Sequence, residues 1–253
     1  IRMLTSIPTA LMCYFLLGTQ AYSLEIPYID FLFDSWVFSL VFISFALVGV
    51  ANAFNIIDGI NGQVLIYSAT VCVCVLFFTD LQKTTDIYLT LVSVFFAILG
   101  ILVLNFPFGK IFMGDAGAYF LGAIVCWGLI YAHLENGNSP WAVMCVLAYP
   151  FTDLAFSVIR RTFVTGGDAM QPDAEHLHHV IYKRMKKLKF RHERARHFFT
   201  VIFITFFNLP YLCATMYFAE NTPALMAIFA TYIFSYLLIY FALSPRFLMS
   251  NGK

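Results

Sequence analysis

The sequence has few charged residues: only 11% of its 253 positions are Asp, Glu, Lys or Arg, whereas 61% are hydrophobic. Soluble domains usually carry about 25% charged and about 45–50% apolar residues. Water cannot solvate a surface of this composition, which excludes a soluble globular enzyme and a disordered chain. The six cysteines all lie inside apolar runs, which excludes a disulfide scaffold. The formal net charge of +1 says little by itself about partners.

Eight long apolar runs dominate the chain. A membrane-spanning helix needs about 20 residues, and only helices or closed barrels pair every backbone N–H and C=O group inside lipid. The alternation of barrel strands, about ten residues long, is absent. The sequence therefore predicts an all-α, polytopic integral membrane protein with about eight transmembrane helices. The predicted spans are 3–21, 36–54, 63–80, 87–106, 116–133, 141–159, 198–219 and 224–243.

The basic residues are distributed unevenly between the two sides of the membrane that these spans define. Of the fifteen Lys and Arg residues, only Lys83 falls on the side opposite to 55–62, 107–115 and 160–197. The positive-inside rule then places those three segments in the cytoplasm. The segment 160–197 is predicted to be one long basic cytoplasmic loop with an amphipathic helix. It is either a solvated loop or an interfacial segment that meets anionic headgroups or an anionic substrate.

Three polar clusters lie at the predicted cytoplasmic edge. The first is NAFNIIDGING at 52–62, in which Asn52, Asn55 and Asp58 share a helix face because they are three positions apart. Amides, a carboxylate and the adjacent Gly59 suit a nucleotide or a hydrated Mg²⁺. Asp-Gly and Asn-Gly pairs are equally typical of a helix cap followed by a turn.

The second cluster is NFPFGKIFMGDAG at 105–117, with Asp115 between glycines directly before a predicted span. Asp115 is either a helix N-cap or a ligand of Mg²⁺, which favours one or two carboxylates together with phosphate oxygens and waters. Lys110 either contacts a phosphate or anchors the membrane interface.

The third cluster is HLHH at 176–179, which holds three of the six histidines of the chain. Zinc binding, phosphate binding and a surface run of histidines are the alternatives. No cysteine lies nearby and acidic partners are sparse, which weakens the zinc interpretation. The other three histidines, including His197, carry no such pattern and are assigned no role.

One carboxylate lies within a predicted span. Asp153 is seven residues before Arg160, so both residues share a helical face. We expect a structural ion pair between them, with a place for Asp153 in the lining of an active-site cavity as the alternative.

Together these stretches resemble the polyprenyl-phosphate N-acetylhexosamine-1-phosphate transferase family (glycosyltransferase family 4). The matching segments are NAFNIIDGING at 52–62, GKIFMGDAG at 109–117, YPFTDLAFSVIRR at 149–161 and HLHH at 176–179. Each motif is modestly specific, and their combination is highly specific. HLHH is similar to the branch that uses UDP-N-acetylhexosamines, whereas the peptidoglycan branch typically has three consecutive histidines.

The resemblance implies a reaction in the bacterial inner membrane, with the active site facing the cytoplasm. Undecaprenyl phosphate would attack the β-phosphate of a UDP-sugar, giving UMP and a polyprenyl-diphosphate sugar that initiates an O-antigen-like polysaccharide or a cell-wall glycan. The sugar would be GlcNAc or a related N-acetylated amino sugar. The implied cofactor is Mg²⁺, with Mn²⁺ as an alternative. The implied partners are undecaprenyl phosphate, the UDP-sugar and membrane lipids, but no nucleic acid. A homodimer is an alternative to a single chain.

The resemblance also implies roles for residues of a single membrane-embedded domain, 1–253. Asp115 and Asn55 would hold the metal, and Asp115, Asp58 and His176 would act in catalysis. Asn61 would recognise uridine. The other implied substrate-binding residues are Asn52, Gly59, Lys110, His178, His179 and Arg160.

The chain also departs from the family pattern. The family has an Asp-Asp-x-x-Asp motif before the span that here starts near Leu4, and this sequence contains no Asp-Asp pair. We therefore expect an N-terminally incomplete transferase domain. The alternatives are a phospho-MurNAc-pentapeptide transferase, a catalytically incompetent fragment and a membrane transporter. A transporter is disfavoured because the polar clusters lie at one membrane edge rather than at the midplane.

Overall fold

The computed structural model describes residues 23–79, 85–165, 175–188 and 192–244. Within these ranges every regular element is helical, beginning with a 3-10 helix at Asp30–Asp34. The α-helices that follow are α1 Trp36–Ile57, α2 Gln63–Phe78, α3 Thr85–Asn105, α4 Gly114–Asn136, α5 Pro140–Val146, α6 Ala148–Ile159, α7 Leu177–Lys187, α8 Glu193–Tyr217 and α9 Thr222–Leu243. A π-helical turn, Arg160–Thr165, continues α6.

Five helices in the described part of the chain are long and apolar enough to cross a membrane, judged by length and composition. They are α1, α3, α4, α8 and α9, and each overlaps a predicted span. The bent pair of α5 and α6 makes a sixth crossing if it is counted as one. The predicted span 3–21 lies outside the described residues. The chain is therefore a multi-pass membrane protein whose described part is all-helical, as the sequence predicts.

Helix α2 is shorter than the predicted span 63–80. Its 16 residues extend over about 24 Å at 1.5 Å per residue, less than the roughly 30 Å of a hydrocarbon core. Eleven of these residues are buried, because α1, α3, α4 and α8 pack around the helix. Protein rather than lipid therefore surrounds most of α2.

The predicted span 141–159 is broken at Leu147, where α5 and α6 meet at a bend of 73°. Pro150 explains the break, because it has no N–H group for the carbonyl of Val146 and its ring crowds that carbonyl. The hydroxyl of Tyr67 donates to the Val146 oxygen at 2.6 Å. The carbonyl freed by the break is thus paired inside the protein, as lipid requires.

The basic segment 160–197 contains the expected amphipathic helix, α7. Its apolar face buries Leu177, Val180 and Ile181 against α8 and α9. Its last turns carry four exposed cations: Lys183, Arg184, Lys186 and Lys187. The packing of the apolar face holds the N-terminal end of α7, with the HLHH cluster, inside the protein.

Helices α1 and α4 run antiparallel and pack closely at Gly122. A Cβ atom on Gly122 would lie 2.7 Å from the Cα of Ala51 and 3.0 Å from the Cβ of Phe54, so a side chain would force the helices apart. This approach brings the C-terminal end of α1 beside the start of α4. The first and second polar clusters therefore meet at one edge of the molecule.

Candidate active site

The meeting of α1 and α4 joins two predicted metal ligands. The Asn55 side chain donates from Nδ2 to Oδ1 of Asp115 at 3.1 Å, although the two residues are 60 positions apart. Asp115 lies in the first turn of α4, where the helix dipole favours negative charge. The N-cap of α4 is Met113, so the alternative that Asp115 is the N-cap is wrong.

Asp58 follows directly after α1 and interacts with the same carboxylate. Burial, and after it the negative charge of Asp115, raise the pKa of Asp58 to about 7. Two mutually repelling carboxylates with the amide of Asn55 beside them form a hard, oxygen-rich donor set. Such a set fits Mg²⁺, which takes one or two carboxylates and completes its shell with phosphate oxygens and waters.

Asn105 links the loops of the first two clusters. The sequence alone did not predict this role, although Asn105 belongs to the second motif. The buried side chain accepts the N–H of Gly62 at 2.6 Å through Oδ1 and donates from Nδ2 to the carbonyl of Ile111 at 2.7 Å. Gly62 has a φ of +84°, in the left-handed region that favours glycine. The two loops consequently form one continuous surface.

Asn61 and His197 lie on this surface. The amide Nδ2 of Asn61 is only 2.5 Å from the place of a Cβ on Gly109. The backbone N–H of Asn61 donates to Nδ1 of His197 at 3.2 Å, across 136 positions. The sequence alone assigns no role to His197. The one sequence feature that could have indicated a role is its position directly before the predicted span 198–219.

A cavity of about 930 Å³ opens beside these loops. Its lining comes from both loops and the start of α8 and includes Gly59, Asn61, Gly109, Arg194 and His197. Lys110, which is exposed, and Arg194 lie 5.7 Å and 5.6 Å from the ring centroid of Phe108, another lining residue. The volume is typical of small-molecule pockets, about 300–1,000 Å³, and the nearby cations suit a phosphate-bearing ligand.

The HLHH cluster packs against the first loop at Gly59. His176 and His178 are buried, so the interpretation as a surface run of histidines is wrong. The ring centroids of His176 and His178 are 5.7 Å apart, and those of His178 and His179 are 4.2 Å apart. A Cβ on Gly59 would lie 2.6 Å from Nε2 of His178 and 3.1 Å from Nε2 of His179. The missing side chain of Gly59 therefore allows the histidines to reach the loop.

The zinc interpretation of HLHH gains no support. Across residues 23–79, 85–165, 175–188 and 192–244, no group of three His, Cys, Asp or Glu side chains is arranged to hold a metal ion. A magnesium site at Asp115 does not need such a group, because waters and phosphate oxygens supply most of its ligands.

The predicted ion pair between Asp153 and Arg160 is wrong. Nη1 of Arg160 lies 2.7 Å from Oε2 of Glu175, whereas Oδ2 of Asp153 lies 2.8 Å from Nδ1 of His176. Helical spacing put both residues on one face, but the helix changes to a π-helical turn at Arg160. The returning chain at 175–177 then supplies a separate partner for each.

Asn52 lies one turn before Asn55 on α1 and connects α1 to α4. Its Nδ2 donates to the carbonyl of Val48 at 2.8 Å, and its Oδ1 accepts the hydroxyl of Tyr119 at 3.1 Å. These contacts give Asn52 a structural function between α1 and α4. Its substrate-binding role stays a prediction, as do the roles of Lys110 and Arg160.

The family model for glycosyl transferase family 4 matches residues 1–133, more than half of the chain. The chain belongs to this family. The matched part of the family 4 chain contains the first two clusters, with Asn55, Asp58 and Asp115. The HLHH cluster lies beyond the matched part.

The similar proteins include two kinds of transferase. The undecaprenyl-phosphate alpha-N-acetylglucosaminyl 1-phosphate transferase of Thermotoga maritima is 29% identical over 149 residues, 59% of this chain and 45% of that protein. The protein of the same name from Escherichia coli K12 is 27% identical over 166 residues, 61% of this chain and 45% of that protein. The phospho-N-acetylmuramoyl-pentapeptide-transferase of Streptococcus mutans is 38% identical over 92 residues, 35% of this chain and 26% of that protein.

These alignments cover only parts of the similar proteins. The family 4 chain spans about half the length of the N-acetylglucosaminyl 1-phosphate transferases that it matches. No solved structure matches the chain.

Proposed function

We propose that this family 4 chain carries the active site of a phosphotransferase that moves HexNAc-1-phosphate from a UDP-sugar to undecaprenyl phosphate. The observation that carries the proposal is the hydrogen bond between Asn55 and Asp115. The negative charge of Asp115 also acts on Asp58, and a cavity of about 930 Å³ lies next to these residues, at Gly59. Phosphoryl transfer depends on positioning and charge neutralisation more than on covalent protein chemistry. The names of the similar transferases support undecaprenyl phosphate as the acceptor and an N-acetylated amino sugar 1-phosphate as the transferred group.

The proposed reaction needs no strong base. An oxygen of undecaprenyl phosphate bonds to the β-phosphorus of the UDP-sugar, and the bond from that phosphorus to the oxygen bridging the α-phosphate breaks. UMP leaves with the electron pair. Because a phosphate monoester carries about −1.5 to −2 charges near neutral pH, the acceptor is already a nucleophile.

Different residues of the site would bind the metal ion, the nucleotide and the phosphates. Asp115 and Asn55 would hold Mg²⁺, and Asp58 would share their pocket. Mg²⁺ supplies neutralisation of the diphosphate charge when bound. Asn61, which lines the cavity, would recognise uridine, and Lys110, beside the lining residue Phe108, would meet the phosphates.

An apolar groove supports the lipid part of the proposal. It has a volume of about 360 Å³, lies between α1, α5 and α6, and has an almost wholly apolar lining that includes Phe42, Phe45, Trp141, Met144 and Phe151. A polyprenyl chain gains free energy by leaving water for such a surface. Because α1 both lines this groove and ends at the acidic pocket, one helix would connect the lipid tail to the reacting phosphate.

The test is release of UMP by the complete protein in lipid nanodiscs. We expect release from UDP-GlcNAc that requires both Mg²⁺ and undecaprenyl phosphate, with a polyprenyl-diphosphate sugar as the second product. Failure to release UMP with any UDP-N-acetylhexosamine would contradict the proposal.

UDP-MurNAc-pentapeptide is the second candidate donor, because the Streptococcus mutans protein is 38% identical over 92 residues. We favour the simple amino sugar, since the N-acetylglucosaminyl transferases align over longer stretches and HLHH resembles their branch. With a simple amino sugar as donor, the product would initiate a surface polysaccharide. It would form at the cytoplasmic face of the inner membrane. Competition between the two donors in one assay decides between them.

A further inference from the structure

Asp153 is a buried carboxylate that the proposed reaction does not use directly. It lies in α6 and is only 1% exposed. Charged side chains inside membrane segments are costly and are usually paired. Asp153 has three close partners: Oδ1 accepts the hydroxyl of Tyr236 at 2.6 Å and the N–H of Leu177 at 2.9 Å, and Oδ2 lies 2.8 Å from Nδ1 of His176.

Two of these partners form the start of α7. The N–H of Leu177 belongs to the first turn, whose donors have no partner inside the helix, and the N-cap residue His176 makes no side-chain capping bond. Asp153 therefore caps α7 from a neighbouring helix. Oδ2 of the same carboxylate lies 2.8 Å from Nδ1 of His176 but outside hydrogen-bond geometry. The carboxylate therefore acts on that nitrogen through its negative charge, which favours a proton there and leaves Nε2 to act elsewhere.

The third partner comes from α9. Tyr232 and Tyr236 are one turn apart and both are buried. The hydroxyl of Tyr232 donates to Oδ1 of Asn208 at 3.0 Å, whereas that of Tyr236 reaches Asp153. The two tyrosines are therefore chemically alike, but only Tyr236 supports the carboxylate beside HLHH.

We propose that Asp153, held by Tyr236, is a positioning residue that fixes the His176 imidazole in its Nδ1-protonated tautomer and sets the stacked histidines against Gly59. The contact path is continuous: His176 stacks on His178, and the His178 ring approaches Gly59. The effect on reaction rate rests on the proposed function. The tautomer itself can be measured without any substrate.

The first experiment compares matched variants by ¹⁵N NMR of histidine-labelled complete protein in nanodiscs, with His176 identified through His176→Gln. Asp153→Asn keeps an acceptor for Tyr236 but removes the charge, and we expect the Nδ1-protonated signal of His176 to lose intensity to the Nε2-protonated one. Tyr232→Phe should leave the His176 signals unchanged. Unchanged His176 signals in Asp153→Asn would overturn the inference.

The second experiment measures turnover. We expect Asp153→Asn to lower kcat by about 10- to 100-fold, by analogy with the loss found when the carboxylate behind a metal-ligating histidine is replaced, with little change in KM for the UDP-sugar. Tyr236→Phe should lower kcat less, Tyr232→Phe should match the unaltered protein, and Asp153→Glu should recover part of the rate. Equal losses in Tyr232→Phe and Tyr236→Phe would show a merely structural role and overturn the inference.

The two experiments separate the two proposals. If the unaltered protein has no transferase activity, the proposed function fails and the NMR comparison still decides the role of Asp153. If Asp153→Asn does not fold, Tyr236→Phe keeps every heavy atom of the ring and provides the comparison with Tyr232→Phe.

Discussion

At the scale of single residues, the acidic pocket at the end of α1 is arranged for binding rather than for stability. Burial and the charge of Asp115 both disfavour the ionised form of Asp58. A bound cation would offset both effects. Perturbed carboxylates beside a cavity are more typical of functional sites than of structural ion pairs, which agrees with the proposed magnesium site.

Replacement of Asp115 tests its role most directly. Asp115→Asn keeps the size of the side chain but removes the charge, so we expect UMP release to fall at least about 100-fold, the loss typical of one preorganised electrostatic group. Thermal stability should change little, because Asp115 is exposed. Asp34→Asn, in the 3-10 helix before the other end of α1, is the control and should keep full activity.

The stability of the metal-free protein should depend on pH through Asp58. Its pKa is raised to about 7 from 3.8, so the folded state binds more protons than the unfolded state between these values. Stability contributed by this group is therefore present below about pH 4 and falls as pH rises towards 7. In EDTA, Asp58→Asn should raise the Tm relative to the unaltered protein at pH 8 and lose this advantage near pH 4. An equal Tm difference at both pH values would contradict the pKa shift.

At the scale of helices, the approach of α4 to α1 sets the geometry of the pocket. Asp115 and Gly122 are two turns apart on α4, and Asn55 and Ala51 are one turn apart on α1. The close contact at Gly122 therefore aligns the two ligand-bearing ends. A change in the distance between these helices would alter the pocket without touching a polar residue.

Gly122→Ala is the corresponding test. The added Cβ would meet Ala51 at 2.7 Å and Phe54 at 3.0 Å, so we expect a loss of about 1–3 kcal/mol, as for other overpacked cores, and reduced UMP release. Gly100→Ala on α3 is the matched control, because nothing lies within 4 Å of its added Cβ. Equal unfolding temperatures and equal activities of the two variants would refute the close contact.

At the scale of the whole molecule, the two ends of the helical bundle have different chemistry. The end opposite to the acidic pocket is tied together by Glu25, which accepts hydrogen bonds from Ser139 and Thr222. The indole of Trp141 donates to the carbonyl of Leu24 at 3.0 Å on the same side. The described cations of α7 and Arg194 lie at the other end, as the predicted separation of the basic residues requires. That this end faces the cytoplasm stays a prediction of the positive-inside rule.

Labelling of single cysteines tests this orientation. In a background with Cys13 and Cys213 replaced by alanine, Lys110→Cys should react with a membrane-impermeant maleimide only in inside-out vesicles. Glu220→Cys, in the turn between α8 and α9, should react in intact spheroplasts. The remaining cysteines are buried and should stay unlabelled. The reverse pattern would invert the proposed membrane orientation.

The sequence by itself determined that lipid surrounds the protein and that its regular elements are helices. It also located the three polar clusters along the chain. A low charge content requires lipid, apolar runs of span length require helices, and motif spacing is a local property that can be read without a fold. It also predicted that Asn55, Asp58 and Asp115 belong to one site, through a family resemblance rather than through geometry.

Only the tertiary structure decided how these parts meet. The break at Leu147 follows from a local proline, but the Tyr67 hydroxyl that pairs the freed carbonyl comes from 79 positions away. The pairing of Asp153 with His176 instead of Arg160, and the contact of His197 with Asn61, likewise depend on segments far apart in the chain. Helical periodicity specifies which residues share a face, whereas the packing of other helices determines which partner each face meets.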